Sequence, residues 1–206
     1  MGISNGKIGG IILAAGLSSR MGMFKPLLPF AQSSMIKTIA QNLQQIGAEV
    51  IVVTGYRADE VVMHFSGWEN IRFIKNENFQ SSDMLLSVKI GLREAEKFSA
   101  VYIIPVDMPA ISVKTLKILK KSMNDKPADI VVPIIEGKRK HPPLLGANSF
   151  SFIEKYTGTG GLKKALEIYP GKLVEVAVPD FGCAMDADTW ADYLQLTAYA
   201  DQTEVT

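Results

Sequence analysis

Five short apolar runs punctuate the chain, each closed off by Gly, Pro, Asn or Asp: Ile8 to Ala14, Glu49 to Thr54, Ile71 to Lys75, Ala100 to Val106 and Asp129 to Ile134. Runs of this length, with little polar alternation, are the pattern of strands buried on both faces. Amphipathic stretches separate them. Met35, Ile36, Ile39, Leu43 and Ile46 form one apolar stripe at helical spacing, and Gly47 is placed to end it. Ser82 to Glu96 and Ser112 to Met123 are two more, the latter with Ser112 as N-cap. Strand alternating with helix restricts the chain to a mostly parallel sheet with helices on both faces, an α/β fold in three α/β/α layers.

The alternation weakens after Ile134. Glu136 to Leu144 is basic and Pro-rich and reads as an excursion or hairpin from the main sheet. A helical stretch (Asn148 to Lys155), a Gly-rich turn (Gly158 to Gly161) and a helix to Ile168 follow. Lys172 to Val178 returns as a strand and Asp188 to Leu196 as a closing helix, and the last ten residues read as a solvated tail. With no internal repeat, linker or low-complexity tract, residues 1–206 are expected to form one domain, with its core at about 8–196.

Composition narrows the partners. Hydrophobic residues make up 47% of the chain, enough for a substantial core. Lys plus Arg is 22 and Asp plus Glu is 21, a net +1, which gives no electrostatic reason to expect nucleic acid or a membrane as partner. An anionic ligand must therefore be held by a local site. Cys183 is the one cysteine and His64 and His141 the two histidines, so neither a disulfide within the chain nor a zinc cluster is expected. Met1 to Lys7 lacks the apolar core of a signal peptide, and no apolar run reaches the ~20 residues that cross a bilayer. The expected location is cytoplasmic.

Directly after the first strand comes Leu13-Ala14-Ala15-Gly16-Leu17-Ser18-Ser19-Arg20-Met21-Gly22-Met23-Phe24-Lys25-Pro26-Leu27-Leu28-Pro29. This is the carboxyl end of a strand, where open α/β sheets bind ligands. Gly16 and Gly22 permit backbone geometries closed to other residues, and exposed N–H groups in such a loop make a concave anion site. Ser18 and Ser19 add hydroxyls, while Arg20 and Lys25 add positive charge suited to a triphosphate. The string is neither a Walker loop nor the Gly-x-Gly-x-x-Gly dinucleotide fingerprint. Without further context it would also suit an ordinary βα turn with two surface cations.

The full string closely resembles the signature of nucleotidyltransferases that attach a nucleotide to molybdopterin, in particular the molybdenum cofactor cytidylyltransferase branch of the MobA-like NTP transferases. Every fixed position of the pattern Leu-Ala-Ala-Gly-x-Ser-x-Arg-Met-Gly-x-x-Lys-x-Leu-Leu-Pro is present. The resemblance implies a Rossmann-like fold of the nucleotide-diphospho-sugar transferase type and Mg²⁺-dependent nucleotidyl transfer. It also assigns Leu13, Ala14, Ala15, Gly16, Ser18, Arg20, Gly22 and Lys25 to the nucleotide, with Arg20 and Lys25 in the catalytic set.

Further motifs extend the resemblance. Ile103-Ile104-Pro105-Val106-Asp107-Met108-Pro109 sets a lone carboxylate at a strand end, where it either caps the helix near Ser112 or ligates Mg²⁺. It resembles the family's Gly-Asp-Met-Pro metal motif, with Val106 for Gly. Met185-Asp186-Ala187-Asp188-Thr189 resembles Asp-x-Asp-Thr-Pro: Asp188 or Thr189 is expected to cap the last helix, leaving Asp186 as second metal ligand. Asn78 to Gly91 matches a pattern ending Ser-x-x-x-Gly that lines the base and sugar pocket in relatives, here Ser87 and Gly91, with Asp83 where Gly is usual. Within it, Met84, Leu85 and Val88 read as core. Lys140-His141-Pro142 resembles a Gly-His-Pro element of the acceptor half, and the basic residues around it suit a phosphate-bearing acceptor or a solvated hairpin alike. Gly158 to Lys163 keeps only the glycines and a cation of a further family stretch, and Cys183 reads as a small buried core residue.

The implied reaction takes CTP and a molybdopterin-type acceptor carrying molybdenum to the cytosine dinucleotide and pyrophosphate. The molybdoenzyme that receives the product, or its maturation factor, is a further expected partner. The alternatives are a transferase of the same fold using GTP or another phosphorylated acceptor, and a nucleotide-binding regulator without transfer chemistry.

Overall fold

The computed structural model describes residues 6–17, 21–81 and 83–203. In chain order the strands are β1 (Ile8–Ala14), β2 (Pro29–Phe30), β3 (Ser33–Ser34), β4 (Glu49–Thr54), β5 (Ile71–Lys75), β6 (Ala100–Pro105), β7 (Ile130–Ile135), β8 (Lys138–Arg139), β9 (Leu144–Gly146) and β10 (Leu173–Ala177). The helices are α1 (Met35–Gln45), α2 (Ala58–His64), α3 (Met84–Arg93), α4 (Val113–Asp125), α5 (Ala147–Lys155), α6 (Gly161–Glu167) and α7 (Trp190–Gln202).

The main sheet runs β10-β7-β9-β6-β1-β4-β5, with β8 paired to β7 and a separate β2-β3 hairpin. Every residue of β1 is buried, and β1 pairs in parallel with both β4 and β6. Alternate residues of each central strand face opposite layers, as the pleat requires. Ile12 and Ala14 join the core under α1, α2 and α4, through Ile39, Leu43, Val61, Leu116 and Leu119. Ile11 and Leu13 join the opposite core, through Val88 and Leu92 of α3, Ile153 of α5 and Leu162 of α6. This is the three-layer α/β/α arrangement expected from the alternation. Gly91 lets α3 lie against β1: a Cβ there would stand 2.6 Å from Cγ2 of Ile11.

The Pro-rich excursion is more than a hairpin. After β8 the chain re-enters the sheet as β9, antiparallel to both β6 and β7, which it separates. Three residues are too few to show a strand pattern in sequence. The helix at α2 also had no sequence signal, because Val61 is its one buried residue while Val62 and Met63 are exposed. Helix α3 begins at Met84 rather than Ser82, since the Asp83 side chain accepts from the Leu86 N–H as N-cap. The closing helix runs past Leu196 to Gln202 into the expected tail. Tyr193, Leu196 and Ala200 pack there with Leu28, Phe30 and Met35. No helix among the described residues is long and apolar enough to cross a membrane.

Candidate active site

Lys25 follows Phe24 into a single 3-10 turn, Lys25–Leu27, whose start is favoured by Pro26. The turn holds Lys25 at 7% exposure, very low for a lysine. Its ammonium donates to Asp107 Oδ2 at 3.3 Å and to Asp188 Oδ1 at 3.0 Å. Asp107 stands just beyond β6, where the Val106 N–H still donates to the Leu13 carbonyl, and its own carbonyl accepts from Ala187 N. Burial pushes the Asp107 carboxyl above its ordinary range, Lys25 opposes that, and the charges of Asp186 and Asp188 reinforce it. The capping alternative for Asp107 fails. The cap of α4 is Ser112, and the carboxylate beside that cap is Asp180.

Asp180 also anchors the segment carrying Asp186 and Asp188. It accepts from Ser112 N at 3.0 Å, Ser112 Oγ at 2.8 Å, Thr115 Oγ1 at 2.7 Å and Gly182 N at 3.0 Å. Thr189 caps α7 in a reciprocal box with Asp192. With the cap supplied by Thr189, Asp188 is available to Lys25, a contact that sequence reasoning did not assign. Asp186 is exposed and lies near enough to act electrostatically on both Asp107 and His141. Cys183 is fully buried, and burial pushes its thiol far above the range of a nucleophile.

A cavity of about 190 Å³ opens over the carboxyl ends of β1 and β6. Of the residues assigned to the nucleotide, Leu13, Ala15, Gly16, Lys25 and Ser87 line it. Ala14 instead turns into the core beneath α1, and Gly22 takes a φ of +66°. Ser18 and Arg20 lie outside the described residues. Asn76 and Phe79 line the same wall; Phe79 falls within the Asn78 to Gly91 stretch, while Asn76 precedes it and carried no recognised motif. Asn76 is fully buried; its Nδ2 donates to Ser87 Oγ and its Oδ1 accepts from Asn78 N. Its position immediately after β5, at the same sheet end as Gly16 and Asp107, is the signal that would have found it. Phe79 packs against Tyr56, which packs in turn on Phe24 beside Lys25. Gly55 permits Phe79 to come this close, because a Cβ there would meet Phe79 Cβ at 2.6 Å, and the Ala15 carbonyl oxygen at 2.6 Å as well.

A second cavity, about 430 Å³, adjoins the first, and Asp83 and Met84 belong to both walls. It gathers Arg139, Lys140 and His141 from the excursion and Gly160 to Lys163 from the start of α6. The Gly-rich stretch thus joins the basic motif in one wall, although its sequence match was slight. The proline on the wall is Pro143 rather than Pro142, which follows a cis bond from His141; both are buried. Burial lowers the proton affinity of His141; the Ile103 backbone and the charges of Asp107 and Asp186 pull the other way. The His141 backbone N–H donates to the Cys183 carbonyl, linking this wall to the acidic segment. Met84, expected in the core, is half exposed instead.

Residues 10–176 match the MobA-like NTP transferase domain. The chain belongs to that family. It is 29% identical over 195 residues to the molybdenum cofactor cytidylyltransferase of Escherichia coli K12, covering 95% of this chain and 97% of the relative. A probable molybdenum cofactor guanylyltransferase of Bacillus cytotoxicus is 31% identical over 153 residues, 72% of this chain and 71% of that one. Among solved structures, a manganese complex of a Mycobacterium tuberculosis protein superposes with a TM-score of 0.74 at 21% identity, covering 94% of this chain and 98% of that one.

As a MobA-like nucleotidyltransferase the chain has the parts for charge-neutralised phosphoryl chemistry. Lys25 and three aspartates sit at the end of the sheet, next to a cavity rich in cations. Among the described residues no three acidic, His or Cys side chains converge closely enough to hold an ion by themselves. Asp107 with Asp186 or Asp188 fits a hard cation whose remaining ligands come from phosphate oxygens, the usual way Mg²⁺ is held beside a nucleotide.

Proposed function

We propose that the protein transfers CMP from CTP to a molybdopterin-type acceptor and releases pyrophosphate. The observation that carries this reading is the pair of adjoining cavities, one with Lys25 and the aspartates, the other basic and partly apolar. The acceptor phosphate, already anionic, attacks the α-phosphorus as the bond to the β-phosphate oxygen breaks. No covalent enzyme intermediate is needed, so the protein acts by position and charge. Lys25, together with Arg20, holds the triphosphate and neutralises the departing pyrophosphate. Lys140, His141 and Lys163 hold the phosphorylated acceptor in the second cavity. Mg²⁺, bound by Asp107 with Asp186 or Asp188, would screen the α-phosphate from the incoming anion; the manganese in the mycobacterial neighbour supports a divalent ion of this kind.

The choice of CTP is supported by the Leu13-Ala14-Ala15-Gly16 turn, since the related guanylyltransferase pattern has a Gly-Gly step there. Ala15 lies on the cavity wall, where its methyl group narrows the space available to a purine. A difference of this size gives about 1–3 kcal/mol of discrimination. GTP is the second reading, because Asp83 on the same wall can accept from the amino group of guanine as readily as from that of cytosine. Competition between CTP and GTP at equal concentration, with mass analysis of the product, is expected to yield mostly the cytosine dinucleotide. Equal or greater incorporation of GMP would overturn the choice of base. Nucleotide binding without pyrophosphate release would overturn transfer altogether.

A further inference from the structure

We propose that Lys25 and the divalent cation compete for the same carboxylates, so that the free protein keeps its cation site closed until a triphosphate draws Lys25 away. This rests on reading the site as one for a metal-bound nucleoside triphosphate, and it concerns how that site is gated.

Lys25 is a fixed part of the site. Its side chain is 9% exposed, and its ammonium lies between carboxylates brought from distant parts of the chain, at 3.3 Å from Asp107 and 3.0 Å from Asp188. A Mg²⁺ or Mn²⁺ ion must approach carboxylate oxygens to about 2.1 Å. It cannot take the oxygens that face Lys25 while the ammonium stays in place. Among the described residues, no three acidic, His or Cys side chains converge to hold the ion and displace the ammonium.

A triphosphate changes both conditions at once. Its oxygens carry more charge than the two carboxylates, and the first cavity, which Lys25 lines together with Gly16, is where they would arrive. When Lys25 turns to phosphate, Asp107 and Asp188 lose its ammonium while phosphate oxygens become available to complete a metal shell. The dication then replaces the ammonium. Because the two events share Lys25, triphosphate and metal must each raise the affinity for the other by the same factor. Asp188 is accordingly a positioning residue: it holds Lys25 in the closed state and releases it to the nucleotide.

The test is Mn²⁺ binding in the absence of nucleotide, followed by electron paramagnetic resonance of the free ion. Lys25→Met is expected to bind Mn²⁺ about tenfold or more tightly than the wild type, while Lys25→Arg, which keeps the charge, stays at the wild-type value. Unchanged or weaker binding in Lys25→Met overturns the proposal, as does a failure of both proteins to bind the ion. Equal tightening in Lys25→Arg also overturns it, by assigning the effect to loosened packing. If Lys25→Met does not fold, the wild type supplies the second arm. Inorganic tripolyphosphate should raise its Mn²⁺ affinity once the solution complex is subtracted, and no increase overturns the competition. Neither arm uses a base or an acceptor, so a preference for GTP would revise the proposed function and leave this result standing.

Discussion

The two cavities differ in how their charges are satisfied. In the first, the buried cation Lys25 already faces two carboxylates, and Asp107 is held in place from β6 and from the segment before α7. In the second, Arg139 pairs with Glu175 at the rim, but Lys140 and Lys163 have no ion pair among the described residues. The charges of the first cavity are thus already paired within the protein, with carboxylates in excess of the one buried ammonium, as suits a ligand that arrives with its own cation. The second has positive charge in excess beside Leu85, Val132, Leu162 and Leu166, as suits an anion with an apolar body.

The largest effect is expected from breaking the side whose charges are already paired. Asp107→Asn keeps the shape and removes the charge, and turnover should fall by about 10²–10³-fold while circular dichroism stays native. Near-native pyrophosphate release with unchanged metal dependence would show that Asp107 is structural. A smaller and more selective effect is expected on the other side. Lys140→Ala with Lys163→Ala should raise the acceptor KM by about tenfold or more and leave the nucleotide KM unchanged. An equal rise in both would mean that the two cavities are not separate subsites.

Away from both cavities, His64 sharpens the contrast with the smallest effect. Burial, with the charge of Lys37, holds its imidazole below its ordinary 6.5, and its Nε2 lies 2.8 Å from Ser34 Oγ at the start of α1. A folded-state value below the unfolded one means that the unfolded chain binds more protons, so stability falls as pH drops below 6.5. The melting temperature of His64→Gln should therefore decline less between about pH 7.5 and 5.5 than that of the wild type, with activity at neutral pH retained. An identical acid profile would remove His64 from the account.

The first cavity was more legible in sequence than the second, for a physical reason. Its residues come from strand ends and the turns just after them, and strands buried on both faces announce themselves as apolar runs. Gly16, Lys25 and Asp107 could be placed from that pattern and from one contiguous motif. Asp188 could not, because an Asp before Thr reads equally well as a helix cap. Only the box between Thr189 and Asp192 shows which residue caps α7. The second wall is assembled from β8, a loop with a cis peptide and the start of α6, elements too short to give a periodic signal. Met84 was misread because an apolar residue in the first turn of a helix can face either core or cleft. The extension of α7 was hidden by its mixed composition, which masks the contacts of Tyr193, Leu196 and Ala200.

The wall common to both cavities bears on inhibitor selectivity. With nucleotide and acceptor in the two cavities as proposed, a bisubstrate analogue that joins them would cross Asp83 and Met84. Met84 is half exposed and unbranched, so it can adapt to linkers of different shape. Asp83 is more discriminating. The pattern this chain resembles has Gly there, whereas here a carboxylate tied to the Leu86 N–H by one oxygen stands beside the crossing. A linker carrying a positive charge at that point would gain a contact in this protein that a glycine there could not offer, while an anionic linker would be disfavoured.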